Sequence, residues 1–215
     1  MRPLNNKNMN SILKLAFCLT GALLLTLSCN GSNKTKTNEE KTMEQKKTLV
    51  VYFSYTAGNT KGIAEKVAKA LGADIAPLEP VNPYSKDYDH VVQQGEEEVQ
   101  RGYRPKLKPL GANVADYDRI VVGSPTWWYA PAPVVMSFLE GTNLKGKTVV
   151  PFMTNAGWPG HVIKDMTQAA EKSGATVEHA HEFRFSSDPS HFSQMKTTEA
   201  ELDRWIASLK VGSTH

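Results

Sequence analysis

The 215-residue chain has two cysteines, Cys18 and Cys29, and none after them. Disulfides, thiolate metal sites and a cysteine nucleophile are therefore excluded from everything downstream of Cys29. There is no GxSxG nucleophile elbow, no GxxxxGK[ST] phosphate loop and no GxGxxG dinucleotide motif, so hydrolase, NTPase and dinucleotide readings lack their usual sequence support. Positive charge is not in excess either. The formal charge is +3, and Arg2, Lys7 and Lys14 alone account for it, which leaves the chain from Cys29 onward neutral and without a nucleic-acid patch. Histidines are scattered, and only His179-Ala-His181 places two together. Alternation would set both rings on one strand face; two ligands make a weak metal pattern, and an exposed strand accounts for it as well. No metal ligand set or catalytic residue is expected.

Long apolar runs are also missing. Residues 15–27 are almost wholly apolar, but a bilayer core of ~30 Å needs about 20 such residues. With the basic start before it and a small residue after it, the segment reads as a secretory signal over residues 1–28. Its end, Leu25-Thr26-Leu27-Ser28-Cys29, resembles a bacterial lipobox, with Thr26 where that pattern favours Leu. The resemblance implies cleavage before Cys29 and lipid on its sulfur: an exported, membrane-anchored lipoprotein on the periplasmic or cell-envelope side. An ordinary signal peptide cut nearby, or an uncleaved N-terminal anchor, are the alternatives. Residues 29–47 are polar and suit a flexible tether, which leaves 48–215 as the folded domain.

From Thr48 onward, short apolar runs alternate with helical periodicity, the pattern of βα units around a parallel sheet. Strands are predicted over 49–53, 73–78, 120–123, 149–153 and 177–185. Pro151 within the fourth argues for a strand end or a missing ladder partner. Helices follow from Ile63, Val67, Ala70 and Leu71; over 88–101; from Val134, Val135, Phe138 and Leu139, stopping at Gly141; over 162–172; and from Leu202, Trp205, Ile206 and Leu209. Right-handed crossovers and two covered faces select a doubly wound α/β fold with a five-stranded parallel sheet of order 2-1-3-4-5. Ligands in such sheets sit beyond the carboxyl ends of the strands, where strand order reverses.

Three loops lie there. Ser54-Tyr55-Thr56-Ala57-Gly58-Asn59-Thr60 offers hydroxyls, a glycine and the unpaired amides of a helix start, which can hold a phosphate without lysine. A plain βα turn capped by Asn or Thr is the alternative. Pro125-Thr126-Trp127-Trp128-Tyr129, after Gly123-Ser124, places three aromatics in a row. Adjacent side chains cannot all enter one core, so at least one ring is left for solvent or for a flat ligand. Alternatively, Trp127 or Trp128 packs under the loop and Tyr129 covers it. Thr154-Asn155-Ala156-Gly157-Trp158 brings small residues and another flat face, or else only a turn into a helix near Pro159.

Taken together, these loops resemble those of the flavodoxin family, over residues 48–210. VVYFSYTAGNT is similar to the family's S/T-x-T-G-x-T phosphate loop, with Ala57 as an extra residue, and VGSPTWWYAPAP is similar to its second loop, with Trp127 in the stacking position and Trp158 as the aromatic for the other ring face. The absence of a large insertion near the fifth strand suggests the short-chain type. The resemblance implies FMN bound without a covalent bond, electron transfer at a membrane surface, and a redox partner protein or small-molecule electron acceptor. An FMN-dependent NAD(P)H or quinone oxidoreductase is the alternative, although no nicotinamide motif is present; a flavin-free binding module is a third reading. Where flavodoxins place a glycine after the tryptophan, this chain has Trp128-Tyr129. That difference implies that two-electron exchange is more accessible than in a one-electron shuttle.

Overall fold

Four parallel strands and a divided fifth carry the chain, and the apolar runs explain why. The computed structural model describes residues 46–210. The signal segment, Cys29, most of the tether and residues 211–215 lie outside the described residues. Strand β1 (Thr48–Tyr52) pairs in parallel with β2 (Asp74–Pro77) on one side and β3 (Arg119–Trp127) on the other. Next to β3 lies β5 (Thr148–Asn155), and beyond it β6 (Thr176–Val177) and β7 (His181–Arg184) follow one another along the same edge. Taking β6 and β7 as one interrupted strand, the order is 2-1-3-4-5, the α/β doubly wound arrangement.

The interruption has a cause in β5. Val149 accepts a hydrogen bond from the Glu178 amide at 3.1 Å, and pairing resumes at Phe152 with His181. Pro151 lies between, facing the same edge, and has no N–H to donate. It pairs in register with Val122 on the β3 side only. The fifth strand leaves the sheet there, with His179 in the left-handed region at φ 51°. The continuous strand read from the sequence over 177–185 is therefore two pieces, and His179 and His181 do not share a strand face.

Both faces of the sheet are covered, which is what continuous apolar strands require. Leu49, Val51, Ile120, Val122, Val149 and Met153 pack with α3 (Pro133–Gly141) and α4 (Val162–Lys172). The alternate residues Val50, Val121, Val150 and Phe152 pack with α1 (Asn59–Leu71) and α5 (Glu199–Lys210). Gly141 does not stop α3 as a left-handed cap. It is the last helical residue, and Thr142 follows in an extended conformation. The remaining helix, α2 (Tyr88–Gln100), starts at Asp87, whose carboxylate accepts the His90 amide at 2.9 Å.

Two boundaries differ from the sequence reading. Lys46 and Lys47 are docked, not part of a free tether: the Lys47 amide donates to Asp118 at 3.0 Å, its carbonyl accepts the Asp118 amide at 2.9 Å, and its ammonium lies 4.6 Å from the Tyr117 ring centroid. The aromatic segment after Gly123 is also not an open loop. Strand β3 runs on through Trp127, turns at Trp128-Tyr129 and returns as the short antiparallel β4 (Ala130–Pro131).

Candidate functional site

The first wall of the site is the turn from β1 into α1. Gly58 stands at the helix N-cap with φ 73° and ψ 11°, a conformation that only glycine adopts at little cost, and no side chain caps the helix. The Asn or Thr cap considered from the sequence is thus absent. The first-turn amides of α1 have no helical carbonyl to meet, and the helix dipole adds about half a positive charge there. Thr60 is buried and its hydroxyl lies 2.8 Å from that of Thr154, which braces this turn against the end of β5. The Asn59 side chain donates to the Phe192 carbonyl at 2.8 Å. Tyr55 donates its hydroxyl to the Ser85 carbonyl, and burial, with Asp87 nearby, raises its pKa.

The second wall is the β3–β4 hairpin. Trp127 is packed edge-on against Phe53, Tyr55 and Tyr84, with ring centroids 5.5, 6.1 and 4.7 Å away. Trp128 projects outward, 41% exposed, and its indole N–H donates to the Val92 carbonyl of α2 at 2.8 Å. Gly95 lets α2 lie this close: a Cβ there would sit 3.4 Å from the Trp127 ring and 3.7 Å from that of Trp128. The turn residues Trp128 and Tyr129 have φ of 47° and 64°. Two-residue hairpins with both φ positive normally use Asn or Gly, so this turn carries strain that its surroundings must hold. They do so from the third loop. The His161 amide donates to the Tyr129 carbonyl at 2.8 Å, and a Cβ on Gly160 would come within 2.0 Å of that same oxygen.

Between these walls and the end of β5 lies a cleft of about 350 Å³, within the range of small-molecule sites, roughly 300–1,000 Å³. Ser54, Tyr55, Thr56, Ala57, Gly58, Asn59 and Thr60 line it, with Pro125, Thr126, Trp127, Trp128, Thr154, Asn155 and Ala156. Three residues singled out in the sequence do not. Tyr129 sits at the hairpin apex, 53% exposed, with its carbonyl turned to His161; Gly157 faces the Arg184 guanidinium; Trp158 is 56% exposed. Six lining residues were missed: Tyr88, Val91, Val92 and Gly95 of α2, and Ser186 and Phe192 from the segment after β7. The latter had a readable signal. The turn-rich SSDPSHFSQ run follows the fifth strand, so it emerges at the same sheet edge as the other loops.

Among the described residues, no Lys, Arg, Asp or Glu lines the cleft. An anion there would be held by backbone amides, hydroxyls and the helix dipole. The wall also contains an unsatisfied group: the Thr126 hydroxyl is buried without a partner, a state that costs about 1–3 kcal/mol. A polar ligand edge would satisfy it.

Comparison with known proteins agrees with this geometry. The sequence family described as Flavodoxin matches residues 47–207. A candidate flavoprotein from Bacteroides eggerthii is 30% identical, with a TM-score of 0.61 over 77% of this chain and 99% of that one. A second, from Bacteroides uniformis, is 25% identical with a TM-score of 0.62, covering 76% and 99%. A flavoprotein from Lactobacillus acidophilus, solved in complex with FMN, has the same fold at 22% identity and a TM-score of 0.58, covering 74% and 98%. No curated protein gives a significant match. The chain belongs to the flavodoxin family.

Proposed function

We propose that this cleft binds FMN without a covalent bond and that the protein uses it for electron transfer at a membrane surface. The observation that carries the reading is the pairing of an uncapped helix start at Gly58–Thr60 with an aromatic hairpin, across the switch point between β1 and β3. A phosphate monoester suits the first and a flat ring the second. The unpaired Thr126 hydroxyl fits a cofactor with polar ring edges. The FMN in the Lactobacillus acidophilus relative supports the choice of flavin.

Bound FMN supplies one- and two-electron chemistry, and the chain's residues bind and orient it. Of the two indoles, Trp128 is our choice for the ring against the flavin, in place of Trp127, because Trp127 already spends its edges on Phe53, Tyr55 and Tyr84. Among the described residues no carboxylate, imidazole or ammonium lines the cleft, so protons reach a bound ring from solvent. Gly160 and the His161 amide hold the Trp128-Tyr129 turn in place, which makes a redox-linked backbone rearrangement costly and favours two-electron exchange. We further propose that Cys29 carries the lipid, supported by the basic start, the short apolar run and the lipobox-like end.

The test is direct. The purified chain is expected to be yellow, to release about one equivalent of FMN on denaturation, and to take up both electrons in a single wave on redox titration. Two well-separated one-electron waves would contradict the two-electron assignment, and rapid anaerobic bleaching by NADH or NADPH would favour an oxidoreductase over a partner-dependent carrier. For the anchor, Cys29→Ala should move the protein from the membrane fraction to the soluble one.

A further inference from the structure

A second cavity, of about 380 Å³, lies where β1 and β2 end and has no role in the reading so far. Ser54 and Tyr55 are the partition, lining it on one side and the cleft described above on the other. Its walls are fixed by the chain itself. The Leu78 amide donates to the Tyr52 carbonyl at 2.7 Å, and the Val81 amide to the Lys106 carbonyl and the Lys108 amide to the Glu79 carbonyl, both at 2.8 Å. Pro77, Pro80 and Pro83 add rigid apolar surface without N–H groups. Tyr84 completes the wall: its hydroxyl donates to the buried Glu98 carboxylate at 2.7 Å, and its ring meets Phe53 edge-on at 5.8 Å. A cavity held this way loses little freedom when a ligand enters.

One polar group in this wall has no partner. Tyr52 is 8% exposed, yet among the described residues its hydroxyl makes no hydrogen bond. Burial first, then the Glu65 and Glu79 carboxylates, raises its pKa, so the phenol keeps its proton and stays a donor. Of the charged residues lining the cavity, Glu79 is held by Lys108 at 2.9 Å, which leaves Lys61, whose ammonium stands 3.7 Å from the exposed Glu65. We infer that this cavity is a second ligand site, for a small aromatic carboxylate, with the carboxylate on the Tyr52 hydroxyl and the Lys61 ammonium and the ring against the prolines and Tyr84. Two cations against one carboxylate in the lining favour an anion. The site stands apart from the FMN reading, since Tyr52, Lys61 and Tyr84 do not line the other cleft.

The full chain is titrated with sodium benzoate by calorimetry, both free of flavin and saturated with FMN, with benzamide as the uncharged analogue and sodium chloride as the ionic control. Benzoate should bind saturably with a Kd of about 1 mM or tighter, within about threefold the same in both forms, and benzamide at least about tenfold more weakly. Tyr52→Phe removes only the hydroxyl, and Lys61→Gln only the charge. Each should weaken benzoate about fivefold to tenfold, while Tyr52→Phe leaves FMN affinity and thermal unfolding unchanged, because the lost hydroxyl had no partner. No saturation by about 10 mM benzoate, equal binding of benzamide, or wild-type benzoate affinity in both variants would overturn the site. Displacement of benzoate by FMN would overturn it too, by placing benzoate in the other cleft. A chain that binds benzoate and no FMN would leave this site standing and overturn the cofactor reading.

Discussion

Trp127 and Trp128 are neighbours in sequence with different surroundings. Trp127 meets three aromatic partners edge-on, packs against one of the two cores and also lines the cleft. Trp127→Ala should lower stability by about 3 kcal/mol, measured by chemical denaturation. Trp128→Ala should leave stability nearly unchanged and weaken FMN binding by about threefold to tenfold, the value of one aromatic stack, measured by flavin fluorescence quenching. If the two outcomes were exchanged, the assignment of Trp128 to the flavin would be wrong. Thr126 offers a test with opposite signs. Its hydroxyl is unpaired without a ligand, so Thr126→Val should stabilise the flavin-free protein or leave it within about 1 kcal/mol, and yet weaken FMN binding about fivefold to tenfold. Equal losses in both measurements would mean that the hydroxyl has an ordinary structural role.

The site is assembled by loops that brace one another more than by any one motif. The hairpin turn at Trp128-Tyr129 sits in a conformation that its own residues disfavour, and the loop after β5 supplies what holds it. Gly160→Ala would place a methyl group against the Tyr129 backbone at a positive φ of 58°. A loss of about 1–3 kcal/mol is expected, with weaker FMN binding because Trp128 moves with its turn; denaturation and flavin titration on the same preparation check both. Sequence periodicity reveals the elements well because the strands are buried on both faces and the helices are amphipathic, as with Val50 and Val51 facing opposite cores. It does not reveal the hairpin, because two-residue turns are recognised by Asn and Gly, and here Trp and Tyr occupy them. The split of the fifth strand was half visible. Pro151 announced a missing partner, but not that the neighbouring strand would leave the sheet to avoid it.

At the scale of the whole molecule, the loops after β1, β3, β5 and β7 meet at one end of the sheet. The first three were legible because the switch-point rule and their unusual residues point to the same place. The contribution of α2 was not, since Tyr88, Val92 and Gly95 look like ordinary surface positions until the indoles of Trp127 and Trp128 are laid on them. Away from this end, His181 links β7 to α5 and gives the fold a pH dependence. Burial beside Phe183 and Trp205 lowers its pKa from 6.5, opposed by Glu201, whose carboxylate is 3.3 Å away without hydrogen-bond alignment, and by Glu182. The folded protein thus binds this proton less readily than the unfolded chain. Stability is complete above the unfolded value and falls as pH drops through 6.5 toward the folded value. Denaturation at a series of pH values should show that decline in the wild type and a flatter profile for His181→Gln. Identical profiles would remove His181 from the account.

A crystal structure of the chain grown with FMN is the most direct measurement of the central claim. The phosphate is predicted on the amides of Gly58, Asn59 and Thr60, with the ring system against Trp128. A cleft filled by its own tryptophans, with the flavin elsewhere or missing at saturating concentration, would contradict it.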